Sequence, residues 1–163
     1  MSEHRTHRAT VAAWCAVVAW AVVIFAMSAH TSSDLSTGSD VVAIVRRWLD
    51  GLQEAVLGPG MDAVSPIAHF CEYAVLGALV TLALRASGMR RVALMASVAI
   101  VACSLYGITD ELHQILVPGR ESDPMDWLVD TCGAALGTAV ACTAMALRAR
   151  HRDAGDRSVA DGR

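Results

Sequence analysis

Between Gly107 and Asp130 the chain reads GITDELHQILVPGRESDPMDWLVD, gathering six carboxylates, one histidine and one arginine between apolar runs. A second concentration, HFCEY, spaces His69, Glu72 and Tyr73 at i, i+3 and i+4. Groups of these types support three kinds of chemistry. An imidazole beside a carboxylate works as a general acid or base. An arginine presents a planar fork to a phosphate. Carboxylate oxygens can hold a divalent cation. The candidates for catalysis are therefore His69, Glu72, Asp110 and Arg120, and for a divalent cation Asp110, Asp126 and Asp130. A substrate would meet His69, Glu72, Tyr73, Asp110, Glu111, Gln114, Arg120, Asp126 and Asp130. No HExxH, GxSxG or nucleophilic-cysteine setting accompanies them.

The elements that must position these groups are apolar. Of 163 residues, 55% are hydrophobic and 18% charged, which is too oily for an ordinary soluble domain and implies a membrane protein. Four runs can each form a spanning helix, which takes about 20 residues: 10–29, 67–84, 92–108 and 127–147. The expected fold is all-α, a polytopic membrane protein of four transmembrane helices with a domain over 10–147. The first run also has the flanks of a signal peptide, in which case three spans remain. The five cysteines sit singly in apolar runs without CxxC spacing, so they read as small buried hydrophobes.

All basic residues are arginine, and their placement suggests topology. Arg5 and Arg8 precede the first span, Arg85, Arg90 and Arg91 fill the second link, and Arg148, Arg150 and Arg152 follow the fourth span. The positive-inside rule then places both termini in the cytoplasm and the acidic cluster outside. Residues 1–9 and the tail 148–163 lack apolar periodicity and read as disordered. In the first loop, Val41, Val45, Trp48, Leu52 and Val56 recur at helical spacing, which predicts an amphipathic helix over about 40–57 roofing the outer side. The basic residues flank spans without interleaved aromatics, so nothing points to nucleic acid.

Helical periodicity brings the polar groups together. Asp110 and Gln114 extend a stripe through Ala96, Ala99, Cys103 and Gly107, while Asp126 and Asp130 continue into Gly133, Gly137 and Ala141, a small-residue packing face. Glu72 lies below the outer end of its span, where an ionised carboxylate needs a partner. Three helices thus point polar groups into one shared outer space. Trp14, Trp20 and Trp127 read as lipid-facing or interfacial anchors.

On these residues the chain resembles the VanZ-like membrane proteins, whose pattern pairs HFxxY with DExxQxxxPGR and a downstream Asp. Here the elements are HFCEY, DELHQILVPGR, Asp126 and DTCGAALG, over roughly Ile67 to Leu147. The resemblance implies a multi-pass cell-envelope protein associated with teicoplanin resistance. Two departures matter: Ser65 and Pro66 stand where the family often has Asp-Lys, and Asp130 where it often has Asn. One counter-charge is lost and one acid gained, which favours a bound cation or a protonated carboxylate.

Three readings of the site follow. In the first, a lock between helix ends, Arg120 pairs with Asp126 or Asp123 and His69 with Glu72 or Asp110. In the second, a metal-dependent enzyme acts on a lipid-linked phosphate or cell-wall precursor. In the third, a small transporter relays protons or cations, against which the uncharged cytoplasmic halves of the spans argue. The partners implied are the lipid bilayer and a lipid-linked precursor or glycopeptide.

Overall fold

Long, predominantly apolar runs without internal proline leave the backbone in hydrocarbon one inexpensive solution, the helix, because each N–H and C=O must be satisfied within the segment. The computed structural model describes residues 2–28, 64–116 and 124–161, with the isolated helical positions Ile44, Trp48, Gly51 and Glu54. Its helices are α1 (Ser2–Ser28), α2 (Val64–Ala86), α3 (Val92–Gln114) and α4 (Pro124–Asp161), with no strand among the described residues. All four are long and apolar enough to cross a membrane, over Thr6–Ser28, Pro66–Ala86, Val92–Gln114 and Pro124–Gly155.

The helices outrun the expected spans. α3 continues past Ile108 to Gln114, carrying Asp110, Glu111 and Gln114 with it, since DELHQ are adequate helix formers. The tail expected to be disordered is helical to Asp161, because an already nucleated helix propagates through Ala- and Arg-rich sequence that holds no proline. Likewise α1 begins at Ser2 rather than Thr10. Of the expected amphipathic helix over 40–57, Ile44, Trp48, Gly51 and Glu54 are helical and exposed. Its other positions, together with Arg120 and Asp123, lie outside the described residues.

The link between α2 and α3 closes on Gly88, whose φ of 94° is costly for any residue with a Cβ. Gly88 N donates to Arg85 O at 3.1 Å and Met89 N to Leu84 O at 3.1 Å, the paired bonds that cap a helix C-terminus.

The tightest pairing is between α2 and α4, which run parallel. A Cβ on Gly137 would strike the carbonyl of Ala74, one on Gly133 the carbonyl of Phe70, and one on Gly77 the carbonyl of Ala134. Glycines thus bring the two backbones into contact from both sides. Below them Thr81 Oγ1 donates to Gly77 O at 2.7 Å and lies 3.3 Å from Thr138 Oγ1. Tyr73, Leu76, Val80 and Ala83 of α2 then pack with Met95, Ala99 and Cys103 of α3 and Ala134 of α4 to form the core.

α1 adds Val17 and Ile24 to this core and is tied to its neighbours by polar groups as well. Trp20 Nε1 donates to Glu72 O at 2.9 Å, Trp14 Nε1 to Ser87 Oγ at 3.0 Å, and Tyr106 OH to Ala21 O at 2.7 Å. Trp127 similarly donates to Ser104 O at 3.2 Å. These tryptophans are interhelical ties as well as anchors, because an indole N–H facing hydrocarbon without an acceptor is penalised. The cysteines also differ from expectation: Cys103 is buried, whereas Cys15, Cys71 and Cys132 are exposed on apolar helix faces. Such faces, with Val18, Val22, Leu105 and Val140, are the surface that meets lipid. Tyr106→Phe should destabilise the detergent-solubilised protein by about 0.5–1.5 kcal/mol, measured as denaturant unfolding against wild type. No loss would mean that packing alone holds α1 on α3.

Candidate functional site

Parallel packing of α2 on α4 decides what His69 meets. With Gly133 and Gly137 seated beneath the carbonyls of Phe70 and Ala74, the turn of α2 holding His69 lies level with the turn of α4 holding Asp130. His69 Nδ1 is 3.2 Å from Asp130 Oδ1. This contact crosses the α2–α4 interface, where the sequence predicts a pairing of His69 with Glu72 or Asp110. Both members are deeply buried, His69 at 6% and Asp130 at 0% exposure.

α3 completes the group. Its stripe of Ala99, Cys103, Gly107, Asp110 and Gln114 is buried, as periodicity predicts, with Ala96 half-buried and Met95 taking the inward position. At Gly107 a Cβ would lie 3.5 Å from Asp130 Oδ2 and 3.6 Å from Tyr73 Cε1, ordinary contact distances that place α2, α3 and α4 side by side at this point. One ligand atom each from His69, Asp110 and Asp130 falls within 4.8 Å of the others. Asp110 Oδ2 accepts from Gln114 Nε2 at 3.3 Å. Among the described residues the other carboxylate oxygens, Asp110 Oδ1 and Asp130 Oδ2, have no hydrogen-bond partner, and neither do Tyr73 Oη and Gln114 Oε1, although all four atoms are buried. Tyr73, at 0% exposure, lies within electrostatic reach of both carboxylates.

The remaining candidates stand around this centre. Asp126 and Glu72 are half-buried and close enough to add negative potential at His69. Asp126 is not part of the three-residue cluster, so His69 takes the place expected for it among possible metal ligands. Glu111 is buried beside Asp110 in sequence, and His113 stacks on Phe25 of α1 with ring centroids 4.2 Å apart. Arg120 lies outside the described residues. Arginines of the described helices sit at the other end: Arg85 is 16 residues down α2 from His69, about 24 Å at helical rise. The cluster therefore carries two carboxylates and one imidazole, with no arginine near it among the described residues.

A family model described as VanZ/LLP1 matches residues 13–146, a stretch that holds α2, α3 and the part of α4 that carries Asp126 and Asp130. The chain belongs to the VanZ/LLP1 family. No curated protein and no solved structure matches the chain. In this VanZ/LLP1 protein, sequence placed most of the site on the right helix faces but missed His69 as the partner of Asp130. The GxxxG step from Gly133 to Gly137 was the available signal, because it marks where α4 lets a neighbour approach. It does not say which neighbour, or at what height.

Chemically, such a group can exchange a proton at His69, bind a polar head group through Tyr73 and Gln114, or hold a cation between two carboxylates and an imidazole.

Proposed function

We propose that this VanZ/LLP1 chain is a cell-envelope protein that lowers sensitivity to teicoplanin, acting through the buried His69–Asp110–Asp130 cluster at the outward end of its helices. The orientation rests on Arg8, Arg85, Arg90, Arg91, Arg148, Arg150 and Arg152 all falling at the opposite end, which the positive-inside rule assigns to the cytoplasm. Both termini are then cytoplasmic and the cluster lies near the level of the outer lipid head groups.

The observation that carries the reading is the set of buried polar atoms at Asp110, Asp130, Tyr73 and Gln114 without partners among the described residues. A lock built only to hold helices would close its own hydrogen bonds, since each unmet buried polar group costs about 1–3 kcal/mol. Open valences in a buried site support a ligand instead.

A second reading, metal-dependent action on a lipid-linked phosphate, is favoured by an apolar cleft of about 200 Å³ lined by residues that include Trp14, Val17, Leu76, Val98, Cys103 and Tyr106. Tyr106 borders this cleft, and its ring centroid is 6.1 Å from that of Tyr73. An acyl or isoprenoid chain in the cleft would thus end beside the cluster.

The test is expression in a teicoplanin-susceptible Gram-positive host, with wild type and Asp110→Asn matched for membrane level and vancomycin run in parallel. Wild type is expected to raise the teicoplanin inhibitory concentration several-fold and Asp110→Asn to return it to the empty-vector value. Wild type indistinguishable from empty vector, or full protection by Asp110→Asn, would overturn the reading.

A further inference from the structure

We infer that His69, Asp110 and Asp130 form a binding site for a single first-row divalent cation of the Zn²⁺ or Mn²⁺ class. This deepens the reading of the cluster as a ligand site, and its test does not depend on antibiotic susceptibility.

Geometry is the first support. Zinc binds imidazole nitrogen and carboxylate oxygen at about 2.0–2.2 Å, so neighbouring ligands of a tetrahedral site stand about 3.3–3.6 Å apart. His69 Nδ1 and Asp130 Oδ1 are separated by 3.2 Å, and Asp110 supplies a third atom within 4.8 Å of both. The ligands come from three different helices, so a cation there would join α2, α3 and α4 at one point.

Unmet valence is the second and independent support. Tyr73 Oη is fully buried, has no partner among the described residues and faces the two acids. Asp130 Oδ2 and Asp110 Oδ1 are equally unpartnered among the described residues. A cation occupies the lone pairs of the carboxylates, and a water or ligand oxygen on it would accept from the tyrosine hydroxyl.

Charge balance is the third. Two ionised carboxylates in a low-dielectric interior need compensation, and the described arginines lie at the opposite end of the helices. One dication neutralises both. An imidazole in the ligand set favours a first-row transition metal or zinc over Mg²⁺ and Ca²⁺, which prefer oxygen alone. A bare phosphate would be repelled by the acids, so an anionic lipid head group can approach only once such a charge is present.

The experiment uses the full chain purified in detergent, stripped with a chelator and equilibrated by dialysis against Zn²⁺ and, separately, Mn²⁺. Wild type is expected to retain one ion per chain, and Asp110→Asn and Asp130→Asn to bind about tenfold more weakly or worse, each variant being checked for monodispersity. Co²⁺ in place of Zn²⁺ should give visible absorption bands of a nitrogen–oxygen site in wild type that are absent in Asp130→Asn. A His4→Gln/His7→Gln double variant should keep the ion. Sub-stoichiometric metal in wild type, unchanged binding in both Asn variants, or loss of the ion with the His4/His7 pair would each overturn the site. Metal binding without teicoplanin protection would remove the proposed function and leave the site standing. Protection by a metal-free protein would do the reverse.

Discussion

Gly137→Ala is expected to cost most of the folded protein, and Gly137→Val all of it. The added methyl would occupy the space of the Ala74 carbonyl, and the atoms it meets are backbone rather than the end of a movable side chain. Overpacking ordinarily costs about 1–3 kcal/mol, where neighbours can rearrange. Here relief requires α4 to move away from α2 along its length, which also disturbs Gly133 against Phe70, Gly77 against Ala134 and the Thr81–Thr138 contact. A domain stabilised by about 5–15 kcal/mol does not readily absorb that loss. Gly155 supplies the control, since nothing lies within 4 Å of a Cβ built there. Gly155→Ala should leave the protein unchanged or gain up to about 1 kcal/mol of helix propensity. Membrane accumulation and size-exclusion profiles of the variants measure this directly. A monodisperse Gly137→Val protein would mean that α2 and α4 are not in backbone contact.

The second large effect concerns the buried charges, measured in the presence of chelator. His69→Leu removes the hydrogen-bonding partner of Asp130 and leaves two carboxyl groups buried together, for which a destabilisation of about 3–5 kcal/mol is expected. Asp130→Leu leaves His69 with Asp110 still within 4.8 Å, so its cost should be the smaller of the two. In the double variant His69→Leu/Asp130→Leu, the carboxylate orphaned by the first substitution is gone. The loss in the double variant should therefore be smaller than the sum of the single losses, the coupling expected of residues in contact. Denaturant unfolding of the three variants in mixed micelles gives the comparison. Strict additivity would show that the 3.2 Å contact contributes nothing energetically.

Much of this architecture can be read along the chain because hydrocarbon permits so few backbone solutions. The four apolar runs became α1 to α4, and the buried stripe from Ala99 to Gln114 on α3 follows from a period of 3.6 residues alone. Element ends were less legible. Polar residues that end an apolar run, such as Asp110 and the arginines after Leu147, do not end a helix when no proline or glycine stops it and a packed face or an existing turn sustains it. Exposure was misjudged for Cys15, Cys71 and Cys132 because an apolar residue on a membrane helix is equally at home facing lipid or protein.

The contents of the site divide along the same line. By itself the sequence determined that His69, Tyr73, Asp110, Gln114 and Asp130 would lie on inward helix faces, since facing is a local property of spacing. Only the tertiary structure decided that His69 meets Asp130, 61 residues away, rather than Glu72 one turn along or Asp110. That choice depends on the height at which α4 docks on α2. Gly133 and Gly137 settle it by seating against the carbonyls of Phe70 and Ala74, a contact between backbones that leaves no trace in the pattern of polar residues it brings together.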